Sequence, residues 1–133
     1  MKRSVLLAFA LVACKNSDPP ASSNVGANVA SFSLTSDAFA AGAEIPTEHT
    51  CEGADTAPAL AWSGAPATTK SFALVVDDPD APDPAAPKTT WVHWVVYAIP
   101  ASTTSLPKGG ALPQGAKAGT NDFKKTAYGG PCP

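Results

Sequence analysis

The run Phe72-Ala-Leu-Val-Val-Asp-Asp-Pro-Asp-Ala-Pro82 constrains this chain most. It is short and apolar, and it ends abruptly in carboxylates and prolines. Side chains alternate along a strand with period two, so Phe72, Leu74, Val76 and Asp78 share one face. That face is apolar until its last position. A second run, Trp91-Val-His-Trp-Val-Val-Tyr97, alternates in the same way and groups Trp91, His93, Val95 and Tyr97. Each strand therefore carries one ionisable group. If the two strands pair, Asp78 and His93 are placed to share a pocket.

The remaining composition suits one mostly β domain. The 133 residues suffice for a single domain, and 44% are hydrophobic against 15% charged. Ten glycines and 14 prolines favour strands and turns over long helices. The N-terminus stands apart from the fold. Met1-Lys2-Arg3 is a basic start, and Ser4–Leu11 is apolar but too short to span a bilayer. Residues 1–13 thus read as a signal peptide. Leu11-Val12-Ala13-Cys14 resembles a bacterial lipobox, with Cys14 as the acylated first residue of the mature protein. Ordinary secretory cleavage near Ala13 is the competing reading. Residues 14–30 are polar, rich in small residues and without apolar period, as in a tether. An exported lipoprotein on the periplasmic side of the cell envelope is expected, held to the membrane by its lipid anchor.

Charge excludes one large class of function. The chain has nine basic and 11 acidic side chains; losing Lys2 and Arg3 leaves seven basic ones and a net charge of −4. Arg3 is the only arginine. Nucleic-acid binding needs a basic surface, so no nucleic-acid partner is expected. With Cys14 lipidated, Cys51 and Cys132 remain, and an oxidising compartment permits a bridge between them.

Taken in order, residues 31–36 form a first strand with Phe32 and Leu34 on one face. Residues 38–46 read as a turn and a short strand, and residues 57–62 as a strand bearing Leu60 and Trp62. Residues 77–88 hold four prolines and read as a loop in which an Asp-Pro or Ala-Pro bond can be cis. Residues 89–99 form the longest and most hydrophobic strand, expected at the sheet centre. Residues 100–119 read as turns.

Four ordered motifs, FALVVDDPDAP, WVHWVVYAIP, GTNDF and YGGPCP, closely resemble the phosphatidylethanolamine-binding protein family, in particular its bacterial Raf-kinase-inhibitor-like branch. The segment TCEGADTAPALAW resembles the same branch, and the likeness covers residues 31–133. It implies a β-sandwich around a large central sheet, with a small pocket at one end for anionic head groups. Carried over by position, Asp78 opens the family's Asp-Pro-Asp motif and His93 is the first pocket histidine, two residues after Trp91, itself a candidate for the pocket wall. Gly130, Pro131 and Pro133 would form the other wall. The family continues beyond this point with a further proline, a Gly-x-His-Arg-Tyr segment, a strand and a helical part. The expectation is therefore a domain incomplete at the C-terminus, without the second pocket histidine and the pocket tyrosine. Ala57 stands where serine is usual, and Lys124 where glycine is usual, a change expected to alter a turn.

The chemistry expected of the pocket is binding. A phosphate needs N–H donors, which His93 supplies; amides of the Gly129-Gly130 turn are candidates for more. Asp78 would repel a bare anion, so its expected roles are to orient His93 or to hold a cationic amine beside the phosphate. No cofactor and no metal are expected, because His49-x-Cys51 with His93 fits no common zinc spacing. Ser63, Ser71 and Ser102 lie in no nucleophile motif, so no enzyme is expected. The expected function is non-enzymatic binding of a small anionic or phospholipid head group, with a protein partner also envisaged. The alternative is a protease-inhibitor-like protein acting by protein–protein contact.

Overall fold

A computed structural model describes residues 31–83 and 85–132. The expected signal peptide, Cys14, the expected tether and Pro133 lie outside the described residues. Six strands form two three-stranded antiparallel sheets. One holds β1 (Ser33–Thr35), β2 (Leu60–Ser63) and β5 (Ser105–Leu106) in the order β1-β2-β5. The other holds β3 (Ser71–Ala81), β4 (Thr89–Pro100) and β6 (Lys117–Gly119) in the order β3-β4-β6. The longest hydrophobic strand is central, as its sequence implies. Residues 38–46 contain no strand; Gly42, at φ +75°, belongs to a turn that any side chain would strain. The turn-rich region 100–119 yields the short β5 and β6, each too brief to show a period.

The two sheets share one core. Leu60 and Trp62 of β2, Phe72 and Leu74 of β3, Trp94, Val96 and Ile99 of β4 and Leu106 of β5 are all buried. Trp62 meets Phe72 edge-on, with ring centroids 5.5 Å apart, across the boundary between the sheets. Each such side chain contributes about 1.5–3 kcal/mol on burial.

Three irregularities in the β3–β4 ladder shape everything near the site. Phe72 pairs with Ile99 but Leu74 with Val96, so Tyr97 and Ala98 oppose Ala73 alone. Ala98 takes φ +54° there. Val76 pairs with Trp94 and Asp77 with Val92, which leaves His93 as the extra residue of a bulge. Asp78 pairs with Trp91 and Ala81 with Thr89, so Pro79 and Asp80 bulge from β3. This last bulge corrects the loop expected from residue 77 onward. β3 runs through Pro79 to Ala81 because it is an edge strand and the proline sits where the ladder is interrupted. The Ala81–Pro82 peptide is cis.

The C-terminal stretch is tied to the rest of the chain at several points. Cys51 and Cys132 are bonded, with Cα atoms 5.3 Å apart. The Cys51 amide donates to the Pro131 carbonyl at 3.1 Å, and the Tyr128 hydroxyl donates to the His49 carbonyl at 2.7 Å.

Candidate functional site

A cavity of about 570 Å³ opens between β1, residues 36–45, the start of β2 and the Asp78 end of β3. Phe32, Leu34, Phe39, Ile45, Leu60 and Val76 make most of its wall apolar. Asp78, His93, Tyr128 and Pro131 gather at its polar end.

The His93 bulge makes this gathering possible. In an unbroken ladder, His93 and Trp94 would point to opposite faces. Here both are buried, at 5% and 2% exposure, because the bulge turns His93 towards the face of Val76 and Asp78. The bulge frees backbone groups of β4, and the GTNDF segment after β6 satisfies them. The Val92 amide donates to Asp122 Oδ2 at 2.8 Å, and the Asp122 amide returns a bond to the Val92 carbonyl at 3.0 Å. The His93 carbonyl accepts from Asn121 Nδ2 at 2.8 Å and from the Gly129 amide at 3.1 Å. Asn121 is itself buried and also holds the Ala127 carbonyl and the Lys125 amide. It therefore shapes the loop that delivers Gly129 to the histidine. Lys124, in that loop, adopts φ +63°, the left-handed conformation that glycine takes more easily.

The imidazole is fixed at one nitrogen. His93 Nδ1 lies 2.6 Å from the Gly129 carbonyl, which only accepts, so Nδ1 carries a proton. Phe123 packs on the ring with centroids 5.6 Å apart. Nε2 is buried without a hydrogen-bond partner, and the nearest carboxylate oxygen, Asp78 Oδ2, is 3.9 Å away. Asp78 Oδ1 accepts from the Asp80 amide at 2.8 Å, an Asx turn that fixes the carboxylate at the bulge. Orienting His93 thus falls to Gly129 rather than to Asp78.

Asp78, His93 and Pro131 line the cavity together. Trp91 does not: it stands opposite Asp78 in register, but its indole meets Phe123 edge-on at 5.4 Å. Gly130 does not line it either. Its amide donates to Asp55 Oδ1 at 2.5 Å, and the Gly129 amide is engaged by His93. The glycine turn therefore supplies no free donors. Its need for glycine is steric: a Cβ on Gly130 would strike the His49 carbonyl oxygen and stand 2.8 Å from Thr50 Cα. Pro133 lies outside the described residues.

Two contributors escaped the sequence reading. Tyr128 lines the polar end, and burial, reinforced by the charge of Asp55, pushes its hydroxyl well above the usual tyrosine range. Residues 39–45 supply an entire wall. Aromatic and alanine-rich loop residues carry no period, so no sequence signal marked them. Among the described residues, no cluster of histidine, cysteine and carboxylate is arranged to hold a metal ion.

Comparison with known proteins agrees with this architecture. The profile of the family described as phosphatidylethanolamine-binding protein matches residues 35–133. UPF0098 protein YbcL of Escherichia coli is 44% identical over 118 residues, covering 80% of this chain and 62% of YbcL. A UPF0098 protein of Aquifex aeolicus is 48% identical over 101 residues, covering 71% of this chain and 54% of that protein. The chain thus spans roughly three fifths of these relatives' length. The crystal structure of YbcL, described as a new member of the mammalian PEBP family, superposes with a TM-score of 0.68, covering 77% of this chain and 66% of YbcL. That of a homologue from Chlamydia trachomatis, 35% identical, gives 0.70, covering 78% of this chain and 67% of the other. With its profile, its relatives and its two-sheet fold in agreement, this chain belongs to the phosphatidylethanolamine-binding protein family.

Proposed function

We propose that the chain is a non-enzymatic binding protein that takes a small anionic or phospholipid head group at the polar end of its cavity. One observation carries the reading: His93 lines the cavity beside Asp78, and its buried Nε2 has no hydrogen-bond partner. Buried polar atoms are normally bonded, so one left open at a cavity wall is a place for a ligand. The phosphate would sit on Nε2, and a head-group ammonium would meet Asp78. Among the described residues, neither His93 nor Asp78 is hydrogen-bonded to a nucleophilic side chain. The same proposal puts this binding site on the periplasmic side of the envelope, anchored through Cys14, because residues 1–14 resemble a lipoprotein leader.

Calorimetric titration with O-phosphoethanolamine tests the reading. Saturable binding is expected, and His93→Ala should abolish it while circular dichroism still reports a folded domain. Undiminished binding to His93→Ala would sink the proposal. Mass spectrometry of the processed chain tests the anchor, which requires an acylated Cys14 as the first residue.

A further inference from the structure

We infer that an anion enters this pocket only together with one proton, held on Nε2 of His93 or shared with the bound oxyanion. The inference rests on the anion-binding reading above and goes further, because it fixes which protonation state binds. The Gly129 carbonyl keeps the single proton of a neutral imidazole on Nδ1. Neutral His93 therefore presents a bare lone pair at Nε2, which is an acceptor. Ionised Asp78, 3.9 Å away, is a second acceptor.

The side-chain donors on the other walls are engaged, the Thr35 hydroxyl with the Ala61 carbonyl at 3.4 Å among them. The Tyr128 hydroxyl donates to the His49 carbonyl, and the Ser36 hydroxyl donates to the Ala59 carbonyl at 2.7 Å. The Gly129 and Gly130 amides are engaged. The wall from β1 and residues 36–45 contributes no charged side chain, and no lysine lines the cavity among the described residues. The remaining titratable groups nearby are carboxylates or a second histidine. Asp77 and Asp80 flank Asp78 on β3, Asp122 holds the Val92 amide, Asp55 holds Gly130, and His49 Nδ1 donates to the Thr56 carbonyl, 2.6 Å away.

An anion meeting this site with His93 neutral would lose its hydration and face two acceptors, an arrangement that burial heavily penalises. One proton reverses the balance. Protonated Nε2 becomes a donor, and its positive charge offsets the anion. The proton comes from solvent, or arrives as the acidic hydroxyl of a phosphate monoester; no bond to phosphorus forms or breaks. A phosphodiester or a sulfate ester brings no such proton, so its binding draws one from solvent.

Dimethyl phosphate separates these cases, because its single charge is fixed across the titration range of histidine. Its affinity would be measured by calorimetry from about pH 5 to about pH 8, the window in which histidine changes charge. Two buffers of different ionisation heat would report proton uptake. The expected result is about one proton taken up per complex on the alkaline side, with affinity falling about tenfold per pH unit there. His93→Gln keeps an N–H donor that does not titrate, so its affinity should not vary with pH. An independent readout is the ¹⁵N shift of His93 Nε2 in the complex, which should report a protonated nitrogen. Wild-type affinity flat in pH without proton uptake, or an unprotonated Nε2 in the complex, would overturn the inference and leave the anion site standing. A pH dependence that persists in His93→Gln would assign the proton elsewhere and overturn it too. No saturable binding at any pH by the folded protein would overturn the anion reading, and this inference with it.

Discussion

Replacing both Cys51 and Cys132 with alanine should cost the domain much of its stability. The bridge spans a sequence separation of 81 residues. In the chain-entropy model, closing a loop of that length removes about 4.5 kcal/mol of freedom from the unfolded state. The bonds beside it, from Tyr128 to His49 and from the Cys51 amide to Pro131, act only in the folded state and are worth about 1 kcal/mol each. They do not replace the cross-link's effect on the unfolded chain. Domains of this size are stable by only about 5–15 kcal/mol in all, so the loss is a large share. Urea denaturation followed by the fluorescence of buried Trp62 and Trp94 measures it. With a slope of about 1–3 kcal/mol/M, the midpoint should fall by about 1.5–4.5 M. Cutting the bridge with a dithiol reductant should reproduce the shift. A loss below about 1 kcal/mol with an unchanged slope would refute the entropic reasoning. The 121–132 segment would then be held in place by its hydrogen bonds and packing alone.

Other perturbations probe separate features. Lys124→Gly relieves a left-handed lysine, a strain of about 1–2 kcal/mol, against about 0.5–1 kcal/mol of added chain entropy, so a net gain of up to about 1.5 kcal/mol is expected by chemical denaturation. Gly130→Ala forces a methyl against the His49 carbonyl and should destabilise by about 1–3 kcal/mol, with weaker O-phosphoethanolamine binding because Pro131 is displaced. Leu74→Ala, at a side chain only 1% exposed, should cost about 2–5 kcal/mol in the same assay. Tyr128 titrates higher in the folded than in the unfolded state, so its contribution is complete below about pH 10, the ordinary tyrosine value, and is lost as pH rises from there towards the folded value. Stability measured on either side of about pH 10 should therefore fall more steeply in the wild type than in Tyr128→Phe.

What could be read beforehand follows from what a sequence encodes locally. Period two located β3 and β4, and hydrophobic length placed β4 at the centre of its sheet, because a strand with two neighbours must bury more of its surface. The same rule failed wherever the ladder slips. It grouped His93 with Val95 and the exposed Tyr97, and separated it from the core residue Trp94. It also ended β3 at the carboxylates, because a proline normally stops a ladder. Bulges have no local signature in this chain; the one at His93 forms because residues 121–129, distant in sequence, supply partners for the backbone groups that the slip leaves open.

The features that could not be read locally are therefore the ones that build the pocket. Asp78 sits where β3 bulges at Pro79, and His93 sits where β4 bulges against it. Without the second slip, His93 would face away from Asp78 and the cavity would lose its polar end. The Asn121-Asp122 pair, which does not line the cavity, closes the backbone bonds of that slip, and Gly129 fixes the ring. The polar end of the cavity thus depends on a loop that contributes only Tyr128 to the lining. Its contribution is to make an irregular strand the stable one.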